Sequence, residues 1–331
     1  MSAPARYPTS APARRRIVLL GATGTIGRAT LRALISRGDE VVCFVRAGAD
    51  VTPLHGATIR TVDVSDAGAL ARGGFCGERF DAVISCMASR TGVPRDAWAI
   101  DHRAHLAVLA AAKAAGVGQF VLLSAICVQK PLLAFQHAKL AFEQALVESG
   151  LTYSIVRPTA FFKSLSGQIA RVRRGKAFLL FGDGRLTACK PISDGDLATY
   201  LVDCLHDEAR WNRVLPIGGP GAAITPREQG EFLFARLRQA PRFRQVPVGL
   251  LDGIIGVLGT AGLVVPALAA KAELARIGRY YATESMLVLD PATGRYDAQA
   301  TPSTGSETLF DYYDHVLGGA PVAALGDHAV F

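Results

Sequence analysis

Short apolar runs separated by polar, glycine-bearing stretches set the rhythm of the first half of the chain. Ile17-Val18-Leu19-Leu20, Glu40-Val41-Val42-Cys43-Phe44-Val45-Arg46, Thr58-Ile59-Arg60-Thr61-Val62-Asp63-Val64 and Asp81-Ala82-Val83-Ile84-Ser85-Cys86 read as four strands. Phe120-Val121-Leu122-Leu123-Ser124 and Tyr153-Ser154-Ile155-Val156-Arg157-Pro158 read as the fifth and sixth. Residues apolar at consecutive positions, not alternate ones, suit strands covered on both faces of a parallel sheet. Helical patterns fall between them: Arg28 to Arg37 closed by Gly38, an alanine-rich stretch from Asp101 to Gly116, and about Leu133 to Gly150. Glycine at each end is a natural helix stop. Strand and helix in alternation predict an α/β fold with a doubly wound parallel sheet.

After Pro158 the rhythm changes. Phe178 to Gly184 reads as a short strand and turn, Ile192 to Leu197 as a helix start with Ser193 or Asp194 at the N-cap, and Val214 to Ile217 as a further strand. Thr225-Pro226-Arg227-Glu228 predicts another helix start, with Thr at the N-cap, Pro at the first position and Glu at the third. The expected organisation is a disordered arm at 1–15, a nucleotide-binding core at 16–158 with further core elements near 192–218, and a smaller substrate-binding region at 159–331 interleaved with it. Gly253 to Ala270 carries no charge between Asp252 and Lys271, and its 18 residues reach the lower edge of a membrane span. Gly253, Gly256, Gly259, Gly262 and Pro266 predict instead a pair of short broken helices, buried, lining a pocket or resting on a membrane surface.

The stretch with the clearest chemistry is Gly21-Ala22-Thr23-Gly24-Thr25-Ile26-Gly27, directly after the first strand and at the head of the first helix. Strand, glycine loop and helix form a dinucleotide cradle of the Rossmann type: the first glycine makes the turn, the second lets pyrophosphate approach the backbone, the third packs helix on sheet. Gly21, Thr23, Gly24, Thr25, Ile26 and Gly27 are therefore the expected phosphate contacts, aided by the free N–H groups of the helix start. Ligands of such sheets sit beyond the carboxyl ends of the strands. That places Cys86, Met87, Ala88 and Ser89 along the crevice and Pro158 at its end, while resemblance to the wider dinucleotide-binding superfamily makes Asp63 and Val64, at the end of the third strand, the expected adenine contacts. Arg46 ends the second strand where NAD sites place an acidic residue, which predicts NADPH, its 2′-phosphate held by the guanidinium.

Composition narrows the picture further. The chain has 331 residues, 50% of them hydrophobic, and a formal charge of +8. No basic stripe is interleaved with aromatics, so nucleic acid is not an expected partner. An anionic lipid surface or a carboxylated ligand suits the charge better. Cys43, Cys76, Cys86, Cys127, Cys189 and Cys204 form no Cys-x-x-Cys pair, which argues against a disulfide framework or an iron–sulfur site, and no protein-bound metal is expected. They imply a reducing compartment. Residues 1–16 have no apolar stretch and are not expected to act as a secretory signal.

The Gly-x-x-Gly-x-x-Gly spacing resembles that of the extended and atypical short-chain dehydrogenase/reductases. Reductases of that superfamily place a serine after the fifth strand and Tyr-x-x-x-Lys on the following helix. Ser124 and Lys139 match, but Phe135 stands at the tyrosine position, so ketone chemistry lacks its acid/base partner. Longer blocks, Ser124 to Leu133, Tyr153 to Leu165, Phe181 to Gly184, Cys189 to Ser193, Leu215 to Gly221, Ile277 to Ala282 and Glu284 to Leu287, resemble the NADPH-dependent divinyl chlorophyllide 8-vinyl-reductases. The resemblance implies reduction of a C8 vinyl group to ethyl on a magnesium divinyl chlorin, the metal belonging to the substrate. Hydride addition to a vinyl carbon leaves no carbonyl oxygen to protonate, which makes sense of Phe135. The resemblance makes Lys139 and Ser124 the expected catalytic residues, and Cys127, Phe161, Phe162 and Tyr280 the expected substrate contacts. With the Ala/Arg/Gly bias and no apparent plastid transit peptide, it also suggests a bacterial cytoplasmic protein, either free or peripheral to the photosynthetic membrane. A non-catalytic NADP-binding sensor or assembly factor, and an isoflavone-reductase-like enzyme, share the glycine loop and stay open at this point. Nothing in the pattern sets an oligomeric state.

Overall fold

The computed structural model describes residues 14–320, so the expected arm at 1–15 lies almost wholly outside the described residues. The elements of the core are β1 (Arg16–Leu20), α1 (Thr25–Ser36), β2 (Glu40–Val45), β3 (Thr58–Thr61), β4 (Ala82–Ser85), α2 (His105–Ala114), β5 (Gln119–Leu123), α3 (Ala134–Val147) and β6 (Thr152–Pro158). There follow β7 (Phe178–Phe181), α4 (Asp194–Asp203), β8 (Arg213–Ile217), α5 (Pro226–Arg236), β9 (Phe243–Val246), α6 (Val248–Gly262), α7 (Pro266–Thr283) and α8 (Leu309–Leu317). Seven strands form one parallel sheet in the order β3-β2-β1-β4-β5-β6-β8. This is the doubly wound NAD(P)-binding arrangement, with the strand order reversing beside β1.

The consecutive apolar residues of β1 explain the layering. Ile17 and Leu19 join one cluster with Leu31 and Leu34 of α1 and Leu197 and Leu201 of α4. Val18 and Leu20 join the opposite cluster with Val108 of α2 and Phe142 and Leu146 of α3. Successive side chains point to opposite faces, so a strand covered twice must be apolar throughout. The late elements α4 and β8 thus complete the core, and Thr159 donates its backbone N–H to the carbonyl of Ile217 at 3.0 Å.

Outside the sheet, β7 pairs with β9, and Phe178 and Leu180 pack with Phe162, Phe234 of α5 and Tyr313 of α8 in a separate cluster. The expected capping box at α5 is present: the Thr225 hydroxyl accepts from Glu228 N at 3.3 Å, and the Glu228 carboxylate accepts from Thr225 N at 2.7 Å.

The uncharged stretch differs from expectation in two ways. Gly253, Gly256 and Gly259 do not break the helix; α6 runs straight through them and the chain turns only at Leu263–Val265 before Pro266. An interior glycine costs about 1 kcal/mol but keeps its N–H, whereas proline removes the donor. At Gly262 a Cβ would lie 2.8 Å from the Ala269 Cα, so glycine permits the close approach of α6 and α7. Nor is this hairpin buried: α6 has no buried residue, and Val257, Leu263 and Val264 are 71%, 87% and 84% exposed. Among the described residues no helix is long and apolar enough to cross a membrane.

Candidate functional site

The carboxyl ends of the parallel strands β1, β4, β5 and β6 share one edge of the sheet, where the ligand crevice of such folds lies. At its floor Gly21 has φ +71°, and a Cβ there would stand 2.5 Å from the Cys86 carbonyl oxygen. A Cβ on Gly27 would stand 2.1 Å from the Gly21 carbonyl oxygen, so these two glycines lock loop, helix and β4 exit together. A Cβ on Gly24 would meet only the Gly21 carbonyl oxygen, at 3.3 Å, so its missing side chain leaves open the space ahead of the helix. Gly24 is the N-cap of α1; no side chain caps the helix and no acidic residue lies in its first turn. Arg28 sits one turn in, a charge that disfavours the bare helix dipole and suits an anion at its end. These features fit a dinucleotide pyrophosphate. Thr23 is exposed, Thr25 is half-buried and Ile26 is buried.

Lys163, which sequence reasoning gave no role, reaches back from beyond β6 and donates from Nζ to Thr25 Oγ1 at 3.0 Å. Burial lowers its pKa, Asp194 acts in the opposite sense, and Arg28 adds to the lowering. A cation therefore stands at the helix start from the far side of the cleft. Arg46 is exposed just past β2. Asp63 and Val64 lie beyond the end of β3. The Asp63 carboxylate accepts from the Ser65 hydroxyl at 2.6 Å and the Ser65 N–H at 2.9 Å, which holds its pKa below the usual range. Cys86 and Met87 are half-buried, Ala88 is exposed, and Pro158 is buried at the end of β6.

On α3, Phe135, Lys139 and Glu143 recur every fourth position and share a face. Each has a different task. Phe135 is 9% exposed and belongs to an apolar cluster with Ile277 and Met286. Lys139 Nζ donates to Asp101 Oδ1 at 2.9 Å in a pair whose side chains are 12% and 0% exposed. Glu143 is paired with Arg157 of β6 and accepts the Ser124 hydroxyl at 2.5 Å. Ser124 and Lys139 are thus anchored to separate carboxylates, and the Ser124 hydrogen is already committed.

Beneath them His105 is buried. Its Nδ1 lies 2.8 Å from the Ile100 carbonyl, which can only accept, so Nδ1 carries the hydrogen and Nε2 accepts from Ser85 Oγ at 2.8 Å. Burial drives its pKa down to about 4, with the Lys139 charge acting in the same sense.

The other expected contacts divide. Phe161 is half-buried; Cys127, Phe162 and Tyr280 are 2%, 3% and 3% exposed. The Tyr280 hydroxyl donates toward the carbonyls of Cys127 at 2.9 Å and Lys130 at 3.1 Å. Asp101, Glu143, Arg157 and Lys163 escaped sequence reasoning. Only Glu143 carried a local signal, four residues beyond Lys139 on the same helical face.

A family model described as NAD(P)H-binding matches residues 21–208. The chain is 47% identical to the chloroplastic divinyl chlorophyllide a 8-vinyl-reductase of Oryza sativa subsp. indica, over 100% of this chain and 85% of that one. It is 48% identical to the enzyme of the same name from Cucumis sativus, over 97% and 80%. Among solved structures, the NADPH-dependent quinone oxidoreductase QOR2 of Escherichia coli, complexed with NADPH, superposes with a TM-score of 0.66 at 19% identity, covering 91% of this chain and 99% of that one. That likeness is one of fold. The relatives also correct the expectation of a bacterial cytoplasmic protein: they are chloroplastic proteins of plants, and the Ala/Arg/Gly bias did not indicate source.

Proposed function

We propose, for a chain that belongs to the divinyl chlorophyllide a 8-vinyl-reductase family, that it reduces the C8 vinyl group of a magnesium divinyl chlorin to ethyl with NADPH. The carrying observation is near-half identity along the whole chain; the sequence spacing of Phe135 and Lys139, with phenylalanine at the position where carbonyl reductases carry a hydroxyl, supports the same reading. When bound, the reduced nicotinamide supplies the hydride. The glycine loop from Gly21 to Gly27 seats the pyrophosphate, and Lys163 closes on it from the opposite wall. Arg46 binds the 2′-phosphate, with Asp63 and Val64 beside the adenine. Cys86, Met87, Ala88 and Pro158 line the nicotinamide end, where Lys139 grips the ribose hydroxyls.

Phe135 offers an apolar wall, which suits a reaction at carbon. Lys139 spends one N–H on Asp101 and retains others, so it is the better placed proton source; Ser124 must first release Glu143. The described parts of 159–331, up to residue 320 and outside α4 and β8, form the substrate side. Phe161 faces the pigment, and Cys127, Phe162 and Tyr280 support that wall from within. The apolar α6–α7 hairpin rests on a membrane surface. The readings as a sensor or a phenolic reductase are the less supported ones.

The test is spectroscopic. Protein, NADPH and divinyl chlorophyllide together should move the Soret band to the monovinyl position, with one NADPH consumed per pigment. Pigment and cofactor binding without that change would refute the catalytic reading.

A further inference from the structure

Asp101 lies on the stretch Trp98–Ala104, which winds as a π-helix ahead of α2. Such windings are rare and frequent at functional sites, because the extra residue per turn re-aims a side chain at the cost of regular packing. Here the re-aimed side chain is a carboxylate with 0% exposure, placed against Lys139 from an element 38 residues away. Its Oδ1 also accepts the backbone N–H of Ser89 at 3.3 Å, tying it to the segment that leaves β4 along the cleft. Its Oδ2 is buried and has no hydrogen-bond partner among the described residues. Burying an ion pair costs more desolvation than it returns unless the remaining lone pairs are satisfied. Asp101 leaves one oxygen unsatisfied, so the pair is poorly built as a stabilising device. The one thing it does well is hold an ammonium at a set place and orientation.

We propose that Asp101 is a positioning residue: its carboxylate fixes the Lys139 ammonium so that it meets the nicotinamide half of the cofactor. This inference rests on the reading of the cleft as an NADPH site with Lys139 at the nicotinamide ribose. The adenine half, seated by the glycine loop and Arg46, does not depend on it. Lys139 without Asp101 loses its address.

Two ligands separate these halves. NADPH spans the whole cleft, whereas 2′,5′-ADP occupies only the adenine side. In Asp101→Asn, of nearly the same shape, the Kd for NADPH is expected to rise at least tenfold while that for 2′,5′-ADP stays within twofold. Equal weakening of both would mean a merely structural role, and no change in either would mean no role; each overturns the proposal. If the single variant does not fold, Asp101→Asn combined with Lys139→Gln removes both charges. It should bind NADPH as Lys139→Gln alone does, since Asp101 acts through Lys139. A further tenfold loss in the double variant would overturn the proposal. Wild-type protein that binds neither nucleotide would bring down the cofactor reading, and this inference with it.

Discussion

Gly27→Ala sets two physical effects against each other. Gly27 is the third residue of α1, in its first turn, where alanine is favoured over glycine by at most about 1 kcal/mol. Against this, the new methyl would lie 2.1 Å from the Gly21 carbonyl oxygen and 2.8 Å from the Ala22 Cα. Both are backbone atoms, so no rotamer change relieves the contact. Overpacking of well-packed interiors costs about 1–3 kcal/mol, and a backbone clash belongs at the upper end. The net expectation is a loss of about 2 kcal/mol, read as a lower urea midpoint at unchanged m-value. The helix must also move away from the loop, so NADPH affinity falls with stability. Gly24→Ala is the control. Its methyl meets only one atom, at 3.3 Å, so stability should be nearly kept while NADPH affinity falls through obstruction of the phosphate seat. A Gly27→Ala protein as stable as wild type or more so would show that propensity outweighs packing here, and would refute the close-contact argument.

Three further outcomes are expected. Arg46→Ala should weaken NADPH far more than NADH, by about 1.5–3 kcal/mol or roughly 10- to 150-fold for one charge-assisted contact; equal effects on both would remove Arg46 from the 2′-phosphate. His105 has its pKa depressed from 6.5 to about 4, so the unfolded chain binds the proton first as pH falls. Its contribution is complete above about pH 6.5 and is lost toward pH 4, a change of about 3 kcal/mol; a His105→Gln variant should show a correspondingly flatter pH profile of unfolding free energy. Leu263→Asp with Val264→Asp, at 87% and 84% exposed positions, should abolish flotation with anionic lipid vesicles and leave unfolding unaffected. Flotation unchanged in that variant would detach the hairpin from membrane contact.

What the chain determines locally is the order of its elements. Consecutive apolar residues in β1, β2 and β4 require a sheet covered on both faces, and Gly21, Gly24 and Gly27 between a strand and a helix require a phosphate-sized turn. Those signals lie within a few residues of one another, and the cap at Thr225 is of the same kind. The exposure of the α6–α7 hairpin was not such a signal, because an uncharged run looks alike whether it faces protein or solvent. Nor were the partners of the catalytic candidates. Lys139 meets Asp101 because a π-helical turn packs against α3, and Ser124 meets Glu143 because α3 lies over the ends of β5 and β6. Periodicity tells which side of a helix is apolar; only the packing of that helix on its neighbours decides which buried charge finds which partner.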